Sequence, residues 1–192
     1  TDALRESVEQ SALVGNVKYT KALMTYGATV GERTEGNSYF LMELPENVKL
    51  FSEDFDALEE EIPPLSEGEI YLPYGLKSRL ACQVGDSVTV KLLHEQEETF
   101  VIKGFVQEAV QGAFNIGWKK VFIGKADYDR IYERCTPLET EGGAQVDYTL
   151  VYVEQATDSK LSVMKFQREL NLATGIVSAG MGTLNKEQTL NY

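Results

Sequence analysis

Two hydrophobic periods share this chain, and their order along it constrains the fold more than any other feature. Apolar residues recur every three to four positions in three long stretches toward the ends, and every second position through most of the middle. A side-chain period of 3.6 belongs to a helix and a period of two to a strand. A chain patterned this way predicts an α+β domain, with helices segregated from a largely hairpin-built sheet. At the N-terminus, Leu4, Val8 and Ala12 share a helical face. That spacing predicts a helix over Asp2–Val14, capped by Asp2 and ended by Gly15-Asn16.

From Val17 the period becomes two. Val17, Tyr19 and Lys21 alternate with Lys18, Thr20 and Ala22, and the run continues through Met24, Tyr26, Ala28 and Val30. Its Tyr, Thr and Val content predicts a strand. The polar, Gly-bounded segment Gly31–Asn37 is expected to be a hairpin loop, with Ser38–Leu44 as the returning strand, closed by Pro45. Ser52–Ile62 carries six acids and places Phe55, Leu58 and Ile62 on one helical face. It is expected to be a solvated short helix or loop ending at Pro63-Pro64, without the spacing of a calcium loop.

Glu69–Pro73 reads as a strand, and Gly75–Cys82 as one or two helical turns with Leu76 and Leu80 at i and i+4. Gly85-Asp86 supplies a tight turn into a strand carrying Val88, Val90 and Leu92. His94–Glu98 is a polar turn, and Thr99–Gln107 returns as the second strand of a hairpin. A glycine-spaced apolar loop, Gly112–Gly117, precedes a buried strand at Val121–Gly124. Ala126–Cys135 is amphipathic, with Tyr128, Ile131, Tyr132 and Cys135 at i, i+3, i+4 and i+7. After a long loop over Thr136–Gln145, Val146–Val153 alternates as a strand. Thr157–Leu172 is expected to be a helix, capped at Thr157-Asp158, with Leu161, Met164 and Leu172 toward the core and Val163, Phe166 and Leu170 beside them. Gly175–Ala179 is expected to be a last strand, followed by a polar tail.

Charge removes whole classes of function. Thirty acids against 18 bases leave a net charge of −12. Nucleic acid is excluded as a partner, because neutralising phosphates needs a Lys/Arg surface. The same charge argues against direct adhesion to an anionic membrane face. No run approaches the roughly 20 apolar residues of a membrane-spanning helix.

Catalytic patterns are missing too. No phosphate-binding GxxxxGK[ST] motif, GxSxG elbow or CxxC occurs. Gly180-Met181-Gly182 lacks both the third glycine and the βαβ context of a dinucleotide site. His94 is the single histidine and stands beside Glu95, Glu97 and Glu98, so it lacks the shielded surroundings that a general base requires. The residues therefore predict no catalytic site, no cofactor and no metal. Cys82 and Cys135 are either two buried thiols or one disulfide; their separation of 53 positions does not choose. Trp118 serves either core packing or contact with a partner. The candidate partner-contact residues are Phe114, Ile116 and Trp118.

One block of features carries a likeness. The strand IYLP at 70–73, the short helix GLKSRLACQ at 75–83, the turn VGDSV at 84–88, the hairpin VTVKLLHEQEETFVIKGFV at 88–106 and the later VFIGKADYDRIYE at 121–133 follow one another. With an N-terminal helix before them and a β-α-β run after, they resemble the extracytoplasmic, periplasmic-core domain of FtsX-like and MacB-like ABC transporter permeases. That resemblance implies a bilobed fold: a porter-like α+β subdomain from both ends (1–65 and 126–192) and a mostly β subdomain inserted at 66–125. It also implies a place on the extracytoplasmic side of the cell membrane. The implied partners are membrane-embedded permease helices of the same polypeptide, a separate cytoplasmic ATPase subunit that hydrolyses ATP, and a second permease copy or an extracytoplasmic peptide, lipid or protein. The acidic Ser52–Glu61 segment and the Gly112–Gly117 loop depart from the family pattern and leave the substrate open. A peptide- or ligand-binding ectodomain of a surface sensor is the alternative.

Overall fold

The computed structural model describes residues 2–44, 48–51, 58–59, 62–108, 119–138, 147–158 and 160–174. It is an α+β fold with two compact units, one formed by Thr1–Thr20 with Thr149–Tyr192 and the other by Lys21–Tyr148. These bounds are not those expected from the resemblance (1–65 with 126–192, and 66–125). Among the described residues, no helix is long and apolar enough to cross a membrane.

The first unit contains helix α1 (Asp2–Glu9), the opening half of strand β1 (Val14–Thr25), most of β11 (Asp147–Gln155) and helix α4 (Val163–Thr174). Strands β1 and β11 are neighbours, and the two helices pack on each other. Helix α1 stops five residues before the expected Val14. The Ser11 hydroxyl accepts the Leu13 N–H at 3.3 Å, and the Val14 N–H donates to the Ser11 carbonyl at 3.0 Å. Local side-chain bonding of this kind competes with a further helical turn. Gly15 makes a close approach possible: a Cβ there would stand 3.2 Å from the Ala156 Cα.

Helix α4 begins six residues later than expected. The Gln155 side-chain amide donates to the Leu161 carbonyl at 3.0 Å, which holds that stretch out of the helix. At the start of the helix the Phe166 N–H donates to the Ser162 carbonyl at 2.8 Å. The expected inward face is also corrected. Phe166 and Leu170 are buried, while Met164 is 82% and Leu172 69% exposed.

The second unit holds most of the sheet. Its path runs from the end of β1 through β4 (Tyr39–Glu43), β10 (Lys119–Ile123), β7 (Glu69–Pro73), β9 (Glu97–Glu108), β8 (Ser87–Lys91) and β2 (Gly27–Val30) to β3 (Arg33–Glu35). Strand β5 (Val48–Phe51), which periodicity did not reveal, pairs with β9, and β6 (Leu58–Glu59) pairs with β5. The expected helical reading of Ser52–Ile62 therefore fails at 58–59; residues 52–57 and 60–61 lie outside the described ones. Most pairs are antiparallel, but β10 runs parallel to β4 and β7 parallel to β9.

Burial explains that order. Tyr39, Phe40, Leu41 and Met42 are all buried, as are Lys120–Ile123 and Ile70–Leu72. Strands covered on both faces read as continuous apolar runs and belong in the middle of a sheet. The flanking β8 and β9 alternate instead, with Val88, Val90, Phe100 and Ile102 inward. These side chains join Leu76 and Leu80 of helix α2 (Gly75–Leu80), and Tyr128, Ile131 and Cys135 of helix α3 (Lys125–Cys135), in one core.

The run from Val17 to Val30 is not one strand. Gly27 has φ +144°, and a Cβ there would meet the Glu35 carbonyl oxygen at 2.9 Å. Only glycine fits such a backbone without strain. The chain breaks there, so β1 pairs with β4 while β2 pairs with β3 and β8. The hairpin turn is Gly31-Glu32 rather than the whole of Gly31–Asn37, and the returning strand is β3. Strand β4, expected as the return, does run antiparallel to the β1 part of that run.

Candidate functional site

Three expected contact residues, Phe114, Ile116 and Trp118, lie outside the described residues, as do Gly175–Ala179 and the tail. Among the described residues no group of three or more His, Cys, Asp or Glu side chains is placed to hold a metal ion. His94 falls in a single 3-10 turn, Leu93–Glu95. Cys82 and Cys135 are free and buried, and burial pushes both thiols above their ordinary value. A thiol held protonated is a poor nucleophile.

The structure instead assembles two features within the second unit. The first is an ionic cluster between α3 and the sheet. Asp127, fully buried in the first turn of α3, accepts the Gly68 N–H at 2.7 Å and an Arg130 guanidinium N–H at 2.8 Å. Arg130 also makes a two-pronged contact with Glu98 of β9, at 3.0 and 3.2 Å, and Arg134 pairs with the same carboxylate. Burial pushes Glu98 upward, but the hydrogen bonds from Arg130 and Arg134 outweigh it and hold its carboxyl below the usual range. The hydrogen bonds to Glu98 and Asp127 push Arg130 upward. Its chemistry is that of a clamp joining α3, the Gly68 turn and β9. Both carboxylates are engaged by guanidinium groups, which leaves neither available as a general base.

The second feature is a shallow recess of about 410 Å³ lined by Tyr74, Lys77, Ser78, Ala81 and Cys82. It forms where α2 ends. Ala81 takes a left-handed conformation (φ 48°) and its own N–H closes on the Lys77 carbonyl, while Cys82 N–H bonds the same carbonyl at 3.1 Å. Tyr74 is 45% exposed, and the Lys77 ammonium stands 5.7 Å from the Phe105 ring centroid. The recess is open to solvent and bordered by the Tyr74, Lys77 and Ser78 side chains.

Sequence reasoning found α2, the turn after it and the amphipathic α3, but neither feature. Asp127 was hidden because its charge reads as surface on a helix whose apolar positions are 128, 131 and 135. Its visible signals are its place in the first turn of a helix, where a carboxylate complements the dipole, and its i,i+3 spacing to Arg130.

No family model matches this chain, and no curated protein matches it. Among solved structures it is similar to the periplasmic region of MacB from Actinobacillus actinomycetemcomitans, with a TM-score of 0.40 and 14% sequence identity over 91% of this chain and 74% of that one.

Proposed function

We propose that this chain is the extracytoplasmic domain of an ABC transporter permease of the FtsX-like or MacB-like kind. The observation that carries the proposal is the division of the chain: both ends belong to one unit, and residues 21–148 form a second unit inserted between them. A domain spliced between two membrane helices must leave and rejoin the membrane from one side, and a unit built from both ends meets that requirement. The motif block from Ile70 to Glu133 supports the same reading. The domain then acts mechanically. ATP binding and hydrolysis on a separate cytoplasmic subunit move the membrane helices, and the extracytoplasmic units shift as rigid bodies to drive export, lipoprotein release or sensing. On this reading the domain carries no catalytic residue, and the Asp127–Arg130–Glu98 clamp keeps the inserted unit rigid under load.

The α2 recess favours a second reading, a ligand-binding ectodomain of a surface sensor. One experiment separates location from role. Ser87, exposed on β8, is replaced by cysteine in the full-length parent protein and treated in intact cells with a membrane-impermeant maleimide. Labelling without permeabilisation is expected, and labelling only after permeabilisation would overturn both readings. Co-purification of an ATP-hydrolysing subunit with the parent supports the permease, whereas a parent carrying its own signalling output domain supports the sensor.

A further inference from the structure

The net charge of −12 is not shared between the two units. Thr1–Thr20 with Thr149–Tyr192 contains seven acids and six bases, a net −1, whereas Lys21–Tyr148 contains the other 23 acids and 12 bases, a net −11. The electrostatic argument against anionic surfaces therefore applies to the second unit and not to the first.

Helix α4 of the near-neutral unit presents an outward face. At about 100° per residue, Met164, Lys165, Arg168 and Leu172 of α4 fall on a common arc opposite the buried Phe166 and Leu170. Met164 and Leu172 are the two most exposed large apolar side chains among the described residues, at 82% and 69%. Lys165 and Arg168 are exposed between them, and neither has an ion-pair partner among the described residues. Glu169 is the helix's one acid and is half-buried at the edge of the arc. Burying Met or Leu is favourable, so exposing both on one face beside two cations forgoes stabilisation unless the face meets something.

We propose that this face of α4 docks on an anionic lipid headgroup surface, with the two cations on the phosphates and Met164 and Leu172 at the acyl boundary. Long apolar side chains flanking Lys and Arg on one side of a helix are the pattern of an interfacial helix. Repulsion from the acidic unit is screened within about 8 Å at physiological ionic strength. The proposal does not depend on the transporter reading, since any protein held near a membrane can use such a face.

Met164→Cys is labelled with an environment-sensitive fluorophore. Cys82 and Cys135, at 3% and 1% exposure, stay unlabelled in the folded chain. A second protein carries the label at Ser87→Cys on the other unit. Both are titrated with vesicles of pure phosphatidylcholine or of phosphatidylcholine with phosphatidylglycerol, at physiological salt. A blue shift at 164 only, with anionic vesicles only, is expected. Lys165→Gln with Arg168→Gln should weaken apparent binding by about 25-fold, roughly fivefold per cation, with an unchanged far-UV CD spectrum and melting temperature. Binding that survives the double substitution, or a shift at 87 as large as at 164, would overturn the proposal. So would no shift with either vesicle, or a saturable shift with polyglutamate and none with vesicles; the last would assign the face to an acidic protein partner.

Discussion

Replacing Asp127 by alanine tests whether the buried carboxylate holds the inserted unit together. The side chain has no solvent exposure and accepts two bonds, the Gly68 N–H at 2.7 Å and Arg130 at 2.8 Å. A hydrogen bond to a charged group contributes about 1.5–3 kcal/mol, and its loss leaves the Gly68 N–H without an acceptor. Arg130 is 45% exposed, so its pairing adds only about 0.5 kcal/mol. The expected total is about 3 kcal/mol. For a chain of this length that lowers the melting temperature by roughly 6–12 °C. Asp127→Asn keeps a side-chain oxygen for Gly68 and gives up the charge, so it should lose about 1 kcal/mol. Urea unfolding followed by far-UV CD, with the denaturant slope held common to all three proteins, measures the differences. A loss below about 1 kcal/mol for the alanine variant refutes the reasoning. So does an equal loss for both variants, because the Gly68 bond would then not be the source.

Three further outcomes follow from the same geometry. Because the folded-state carboxyl of Glu98 is held below its ordinary value, its contribution is present above the ordinary glutamate range and is lost as pH falls through the folded value; Glu98→Gln should flatten the acid limb of stability against pH, and a parallel curve would count against the clamp. Tyr71, pushed up to about 12 by burial, has the opposite sign: its contribution is complete below the ordinary tyrosine range near 10 and declines as pH rises toward about 12, which an absorbance titration of wild type against Tyr71→Phe would read. Gly27→Ala should destabilise by more than about 1 kcal/mol, since its φ is +144° and the new Cβ would stand 2.9 Å from the Glu35 oxygen; a neutral effect in urea unfolding would rule out that backbone geometry.

How much was legible in the sequence varies by element. Helix α3 was read within a residue because Tyr128, Ile131 and Cys135 all face one core. Strands β7, β8, β9 and β10 were read nearly to their ends, since alternation or continuous apolarity reports directly on how many faces are covered. Helix α4 misled, because six apolar residues over twelve positions satisfy more than one inward face, and contact with α1 rather than period selects between them. Strand β5 is four residues of mixed character and becomes a strand through pairing with β9 and β6. The ionic clamp joins Asp127, Arg130 and Arg134, at helical spacing on α3, to Gly68 and Glu98, which no spacing relates to them.

What the sequence determined alone is local or global: the type of each long element, the turn at Gly85-Asp86, the lack of catalytic motifs and the acidic net charge of the whole chain. These follow from periodicity, backbone chemistry and composition, which act within a few residues or on the whole chain. Tertiary structure decided which strands are neighbours, that Gly27 splits one patterned run between two partners, that Asp127 is buried, and that Met164 and Leu172 face outward. Each is set by contacts between residues far apart in the chain, where the free energy of burying one face depends on what packs against it.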